Sequence, residues 1–163
     1  MSLIVSVVIE SIRYLDVHPV LPEGSPPELQ DSYDALLAPL LLNSALAAIR
    51  AQPQSTANAL TAISSATRAL NKLSLNDADK GKILHGNVRD TLADRGLSAA
   101  KALYRRSMAH AFLKDEEKAE QDLVEASALV PTDAAISAEL SKIRQARKEK
   151  REKEKKQFKK MFS

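Results

Sequence analysis

Two basic side chains, Lys101 and Arg105, stand four residues apart in a segment without proline or glycine. If this segment is helical, the spacing places both cations on one face of the helix. Like charges repel there, and an anionic ligand between them would relieve the repulsion. An arginine can fork onto a carboxylate, while a lysine adds a point charge. The pair therefore indicates either an anion-binding site or, in the simpler interpretation, a solvated helix face.

Other kinds of chemistry find little support in the residues. The chain has no cysteine, which excludes a thiolate zinc site and a cysteine nucleophile. Its three histidines show no metal-ligand spacing, and we interpret His110 as a packing residue of a helix. The segment Lys80–Lys82 lacks the upstream glycine and downstream hydroxyl residue of a phosphate-binding loop. We therefore expect no catalytic residue, no cofactor and no metal.

The charge is distributed unevenly along the chain. Residues 141–163 carry eleven basic and three acidic side chains, whereas residues 1–140 carry thirteen and eighteen. The body is thus mildly acidic, which argues against nucleic acid as its partner. The basic end is typical either of a helix that binds calmodulin or a polyanion, or of an extended solvated helix. No apolar run reaches the about 20 residues of a membrane span, so we expect a cytoplasmic protein without a membrane partner.

The elements that must position these residues are all predicted to be helices. Apolar residues recur every three to four positions, as at Ala59, Ile63 and Ala66. Pro39 predicts a kink or a new helix start, and Thr132 is the expected N-cap of the last helix. The predicted helices cover residues 3–16, 28–51, 56–73, 99–113 and 115–129, with a last helix running to about Phe158 or beyond.

The helices group into hairpins with a repeat of about 34 residues. The unit that ends at Pro131 resembles a tetratricopeptide repeat (TPR), a helical hairpin with small residues where its helices cross closely. The small residues of this unit are Ser107, Ala119 and Ala126, and its large apolar residues are Leu103 and Leu123. An earlier unit has small residues at the corresponding crossing positions, namely Ala45, Ala62, Ala66 and Ala69. The predicted fold is therefore all-α, with about two and a half TPR hairpins and a long C-terminal capping helix.

A closer resemblance is carried by the segment Lys101–Arg106. It is similar to the third repeat of TPR co-chaperones that bind the acidic C-terminus of heat-shock protein 90 or 70. Residues 41–43 resemble the start of their second repeat, and residues 10–16 the second helix of their first. The last stretch, from Pro131 to Phe162, resembles the C-terminus of the cyclophilin 40 class of TPR immunophilins.

This resemblance implies a clamp for the carboxylates of the partner peptide, made of Lys, Asn, Asn, Lys and Arg from three repeats. Asn43 matches the second-repeat asparagine, and Lys101 and Arg105 match the third-repeat lysine and arginine. The first-repeat lysine and asparagine have no match, because residues 1–8 do not resemble the helix that carries them. We therefore expect a partial clamp that binds heat-shock protein 90 or 70 weakly.

The same family implies peptidyl-prolyl isomerase activity, which belongs to a β-barrel domain preceding the repeats. No part of this sequence predicts such a barrel, so we expect this chain itself to be no enzyme. The unmatched first-repeat helix also predicts low stability, since the apolar face of residues 3–16 would be exposed.

We divide the chain into a TPR solenoid over residues 1–130 and a basic C-terminal helix over 132–163. The solenoid comprises a partial first repeat (3–16), a second repeat (38–73), an insertion (74–98) and a third repeat (99–131). Arg106 takes a position that is usually apolar in such repeats, and we expect its head group to extend into water.

Overall fold

The computed structural model of the protein describes residues 24–73 and 90–161. Within these ranges every regular element is an α-helix and no strand occurs, which confirms the predicted all-helical, TPR-like fold. We number the helices in chain order as α1 Pro27–Arg50, α2 Thr56–Leu73, α3 Asp90–Phe112, α4 Glu116–Leu129 and α5 Ala134–Met161. The predicted helix over residues 3–16 lies outside the described residues.

Helix α1 begins at a proline and passes through another. Pro27 suits the first position because its ring fixes a helical φ and its missing N–H would find no acceptor there. The helix is continuous through Pro39, so the predicted alternative of a new helix start at that residue is wrong. Pro39 itself is exposed, while Ala38 and Leu41 beside it are buried against other helices. This packing holds both halves of α1 in one helix.

Helices α1 and α2 form an antiparallel hairpin with an interface of small side chains. The four alanines that the repeat pattern placed there are fully buried, namely Ala45, Ala62, Ala66 and Ala69. Ser44 and Ser65 share a buried hydrogen bond of 3.1 Å across the hairpin. The hydroxyl of Ser55 accepts a hydrogen bond from the N–H of Asn58, a cap that contributes about 1 kcal/mol to the start of α2.

Helices α3 and α4 form the second hairpin. Its turn places Lys114 at a φ of 64°, and Asp115 caps α4 by accepting a hydrogen bond from the N–H of Lys118 at 3.3 Å. The predicted crossing residues are all buried, namely Leu103, Ser107, Ala119, Leu123 and Ala126. The small and large positions of this hairpin are thus as the repeat pattern predicts.

Helix α3 begins nine residues before the predicted position, at Asp90. Residues 90–98, assigned to the insertion, are therefore continuous with the helix of the second hairpin. Arg95 fixes this early part to α2, because its Nε donates to the carbonyl oxygen of Leu73 at 3.0 Å. The division into repeats stays a prediction, and residues 74–89 lie outside the described part of the chain.

Arg106 joins three helices. Its Nε and Nη2 donate to the two carboxylate oxygens of Asp122 on α4 at 2.9 and 2.7 Å, and its Nη1 donates to the hydroxyl of Thr67 on α2 at 3.2 Å. The prediction that this head group extends into water is wrong. Asp122 is only 5% exposed, and a buried carboxylate requires a charged partner. The hydrogen bond from Arg106 supplies it and raises the pKa of the guanidinium.

The N-cap of α5 is Asp133, whose carboxylate accepts hydrogen bonds from the N–H groups of Ala135 and Ile136 at 2.8 and 3.1 Å. The expected cap at Thr132 is therefore wrong by one residue, because the next carboxylate satisfies two of the first N–H groups of the helix. The side of α5 that packs on the hairpins carries the buried residues Ile136 and Ile143.

The second half of α5 leaves the helical stack. Glu120 on α4 accepts hydrogen bonds from Arg144, at 2.9 Å, and from Arg147. Beyond these ion pairs, every residue from 148 to 161 is exposed. Helix α5 has 28 residues and α4 has 14, so their lengths are about 42 and 21 Å. The end of α5 therefore projects past α4 as a basic helix.

Candidate anion-binding face

Helices α1 and α3 lie side by side and run in the same direction. Ala38 shares a cluster of buried residues with Ala99, and Ala48 shares another with Ala109. The earlier part of each helix thus shares one cluster and the later part another, so the two helices advance in the same direction. Exposed residues near the end of α1 therefore lie toward the C-terminal end of α3.

Arg105 connects the two helices at the middle of this contact. Its Nη1 donates a hydrogen bond of 2.6 Å to the carbonyl oxygen of Leu42 in α1. The side chain is half-buried, and this burial lowers the pKa of the guanidinium, as does the nearby charge of Arg50. A neutral carbonyl oxygen holds the head group in place but does not balance its charge. The cation is thus positioned beside Asn43, the residue that follows Leu42.

Lys101 and Asn43 are exposed on the same two helices. Lys101 lies one turn before Arg105 on the same face of α3. Within the described residues, the side chains of Lys101 and Asn43 have no hydrogen-bond or ion-pair partner. The structure therefore brings the three proposed clamp residues to neighbouring surface positions of adjacent helices. Their role in binding stays a prediction.

The sequence prediction missed one cation of this surface, Arg50. This residue is exposed in the last turn of α1, and its charge acts on Arg105. It follows Asn43 by seven residues, two helical turns, so both side chains share one face. The sequence shows this spacing, but the family pattern identifies only the positions that match its own clamp residues, and Arg50 is not one of them. We call Asn43, Arg50, Lys101 and Arg105 together the α1–α3 face.

The α1–α3 face is suited to carboxylates. Lysine and arginine side chains only donate hydrogen bonds, and an asparagine amide donates two more without adding charge. Burial and a neighbouring like charge both raise the free energy of the Arg105 cation, and a bound anion would offset this cost. The arrangement can hold an acidic group without any metal ion.

The chain is similar over most of its length to three curated fungal proteins. It is 40% identical over 153 residues to one from Cryptococcus neoformans var. neoformans serotype D, and 34% identical over 160 residues to one from Mycosarcoma maydis. A third, from Kluyveromyces lactis, is 34% identical over 142 residues. All three are named peptidyl-prolyl cis-trans isomerase D.

The similarity to the peptidyl-prolyl cis-trans isomerase D proteins covers 94% of this chain in the first two cases and 87% in the third. The chain spans about a third of the length of these relatives, between 32% and 36%. No protein-family model matches the chain, and no solved structure matches it. The names of these relatives, peptidyl-prolyl cis-trans isomerase D, agree with the resemblance of the sequence to the cyclophilin 40 class.

The rest of the described structure offers no stronger site. Residues 24–73 and 90–161 contain no group of three or more side chains that could hold a metal ion, and no helix there is long and apolar enough to cross a membrane. A groove of about 420 Å³ lies between α4 and α5. Its central charges, Glu120, Arg144 and Arg147, already pair with one another.

Proposed function

We propose that this chain is a protein-binding TPR module that holds the acidic C-terminal peptide of heat-shock protein 90, as the co-chaperone part of a cyclophilin 40-class protein would. Asn43, Lys101 and Arg105 receive the peptide carboxylates. One observation carries this proposal: Arg105 is half-buried, fixed by the Leu42 carbonyl oxygen and directed beside Asn43. Similarity to the peptidyl-prolyl cis-trans isomerase D proteins supports it.

The energetic reason is pre-organisation. A hydrogen bond to a charged group contributes about 1.5–3 kcal/mol when it is well formed. Arg105 loses little side-chain freedom on binding, because Leu42 already holds its head group. Lys101 and Asn43 are exposed and must be ordered by the ligand, so their net contributions are smaller.

The experiment is a calorimetric titration with the free-acid peptide Met-Glu-Glu-Val-Asp. Wild type is compared with Lys101→Ala and with Arg151→Ala, which removes an exposed cation from the projecting part of α5. We expect Lys101→Ala to weaken binding and Arg151→Ala to leave it unchanged. Equal loss in both variants would show general charge attraction instead of a clamp, and no binding by wild type would refute the proposal. The acidic peptide of heat-shock protein 70 tests which chaperone is preferred.

The relatives are named isomerases, and we propose that the segment they share with this chain binds a partner and does not catalyse. The described residues are helical hairpins whose one candidate face holds donors for an anion. A prolyl-isomerase assay on this chain tests the point, with no rate enhancement expected. Turnover that survives purification and responds to substitutions in the chain would contradict it.

A second candidate function belongs to the projecting end of α5. Residues 148–161 are all exposed and helical, and they carry eight basic and three acidic side chains. Such a helix suits calmodulin or a polyanion. Binding to a polyanion would fall steeply with salt, because counterions are released. Binding that is abolished by neutralising these cations, but unaffected by Lys101→Ala, would assign it to α5.

A further inference from the structure

Arg50 extends the α1–α3 face beyond the three proposed clamp residues. It lies in the last turn of α1 and is exposed. Because α1 and α3 run in the same direction, Arg50 lies farther toward their C-terminal ends than Asn43 does. Arg50 is therefore the cation nearest the C-terminal ends of both helices on this face. A ligand held at Arg105 passes Arg50 if it continues in that direction.

The distance along α1 sets the spacing of the ligand groups. Seven residues separate Asn43 from Arg50, which corresponds to about 10 Å along the helix axis. An extended peptide advances about 3.3 Å per residue, so this distance spans about three peptide residues. A carboxylate at Asn43 and a second one at Arg50 would thus be three residues apart in the ligand.

The opposite end of α3 favours the same direction. Asp94 is exposed two helical turns before Lys101, and so lies on the same face of α3. Its negative charge would repel an acidic ligand that continued toward the N-terminal end of the helix. Positive charge at one end and negative charge at the other give the face a polarity.

We propose that Arg50 binds a second, side-chain carboxylate of the ligand, three residues before the terminal one, so that the α1–α3 face selects peptides with this acidic spacing. The inference rests on the proposed function and specifies the ligand of the same site. Met108, which is partly exposed about one turn beyond Arg105 on α3, leaves an apolar surface for an intervening peptide residue.

Arg50 also has a structural effect, since a cation in the last turn of a helix stabilises the helix dipole. A test must therefore separate binding from helix stability. Arg50→Ala removes both contributions, whereas Arg50→Lys retains the charge at the end of α1. A thermal melt of each variant, followed by circular dichroism, measures the structural part independently of the peptide.

The experiment is a double-mutant cycle between Arg50 and the peptide. Wild type and Arg50→Ala are each titrated with Met-Glu-Glu-Val-Asp and with two analogues, Met-Gln-Glu-Val-Asp and Met-Glu-Gln-Val-Asp. In the first analogue glutamine replaces the glutamate three residues before the end; in the second it replaces the one two residues before. We expect Arg50→Ala to weaken binding of the parent peptide about threefold, as for an exposed ion pair. The same substitution should have no effect on the first analogue.

Each result decides one question. Coupling of Arg50 to the first glutamate alone supports the spacing. Three results would overturn the proposed spacing: coupling to the second glutamate, equal coupling to both glutamates, or unchanged binding in Arg50→Ala. In each of these cases, the proposed function still stands if binding requires Lys101. If wild type binds none of the three peptides, the proposed function itself fails. Arg50→Lys should recover part of the affinity that Arg50→Ala loses. If it recovers none, and only Arg50→Ala lowers the melting temperature, then Arg50 acts on helix stability and not on binding.

Discussion

Two adjacent arginines of α3 lie in opposite electrostatic surroundings. Arg106 faces the interior between α2, α3 and α4, where the buried Asp122 accepts two of its hydrogen bonds. Arg105 faces α1, where its contact is the neutral carbonyl oxygen of Leu42. The pKa of Arg106 is raised by Asp122, and that of Arg105 is lowered by burial and by Arg50. A cation whose charge is balanced inside the protein serves the fold, whereas we propose that one held without an anion, as Arg105 is, serves to bind a ligand.

The largest expected effect concerns the balanced cation. Asp122→Ala leaves Arg106 half-buried without its counter-charge, and removing one partner of such a pair costs about 3–5 kcal/mol. Urea unfolding should show this loss. The double variant Arg106→Met with Asp122→Leu removes both charges and should recover most of the stability. A single variant as stable as wild type would show that the pair does not hold the three helices together.

The next effect concerns the unbalanced cation and should appear in binding. Arg105→Lys keeps the charge but loses the fork that lets one head group contact both Leu42 and a carboxylate. We expect affinity for the acidic peptide to fall about tenfold, with the free energy of unfolding changed by less than about 1 kcal/mol. Calorimetry and urea unfolding of the same protein measure both quantities. A large loss of stability would mean that Arg105, like Arg106, serves the fold.

A smaller effect is expected where α5 meets α4. Glu120→Gln removes the carboxylate charge from its contacts with Arg144 and Arg147, which are partly exposed, and should lower stability by about 0.5–1 kcal/mol. Glu152→Gln, on the exposed end of α5, is the matched control and should change little. Equal melting temperatures for the two variants would contradict a role of Glu120 in holding α5.

The smallest effect is a dependence on pH through His110, one turn after Arg106. Burial lowers the pKa of this histidine below its usual 6.5, more strongly than Asp122 and Asp115 raise it. The unfolded chain therefore takes up a proton first as the pH falls. Stability should be complete above about pH 6.5 and decrease below it, until the folded-state pKa is passed.

His110→Gln should flatten this dependence, measured as the free energy of unfolding between pH 7.5 and 5.5. The cations Arg106 and Lys118 also lower the pKa of His110, in the same direction as burial. Identical slopes in wild type and His110→Gln would remove His110 from the explanation.

Local sequence patterns correctly predicted features that depend only on residues close in the sequence, such as the bounds and buried positions of α2. The spacing of small residues identified Ala62, Ala66 and Ala69 as interface positions, and the predicted helix over 56–73 has the observed bounds. Such features follow from helical periodicity, which needs no knowledge of the partner helix. The capping carboxylate of Asp133 differs from the predicted cap by one residue because two hydroxyl or carboxyl residues compete at that turn.

Features that depend on contacts between residues far apart in the sequence could not be predicted from local patterns. The position of Arg106 indicated an exposed head group, since nothing local shows that Asp122, sixteen residues away, is buried opposite it. Continuity of α1 through Pro39 depends on packing against other helices. At the candidate site, Asn43, Lys101 and Arg105 came from a family pattern, while the effect of Arg50 on Arg105 required the structure.

We propose that Arg105 is held ready for a ligand carboxylate. Titration of wild type and Arg105→Ala with Met-Glu-Glu-Val-Asp, each with a free or an amidated C-terminus, tests it most directly. We predict that amidation weakens binding to wild type by at least about tenfold and has almost no further effect in Arg105→Ala. Equal effects of amidation in both proteins would contradict the claim, because the terminal carboxylate would then bind elsewhere.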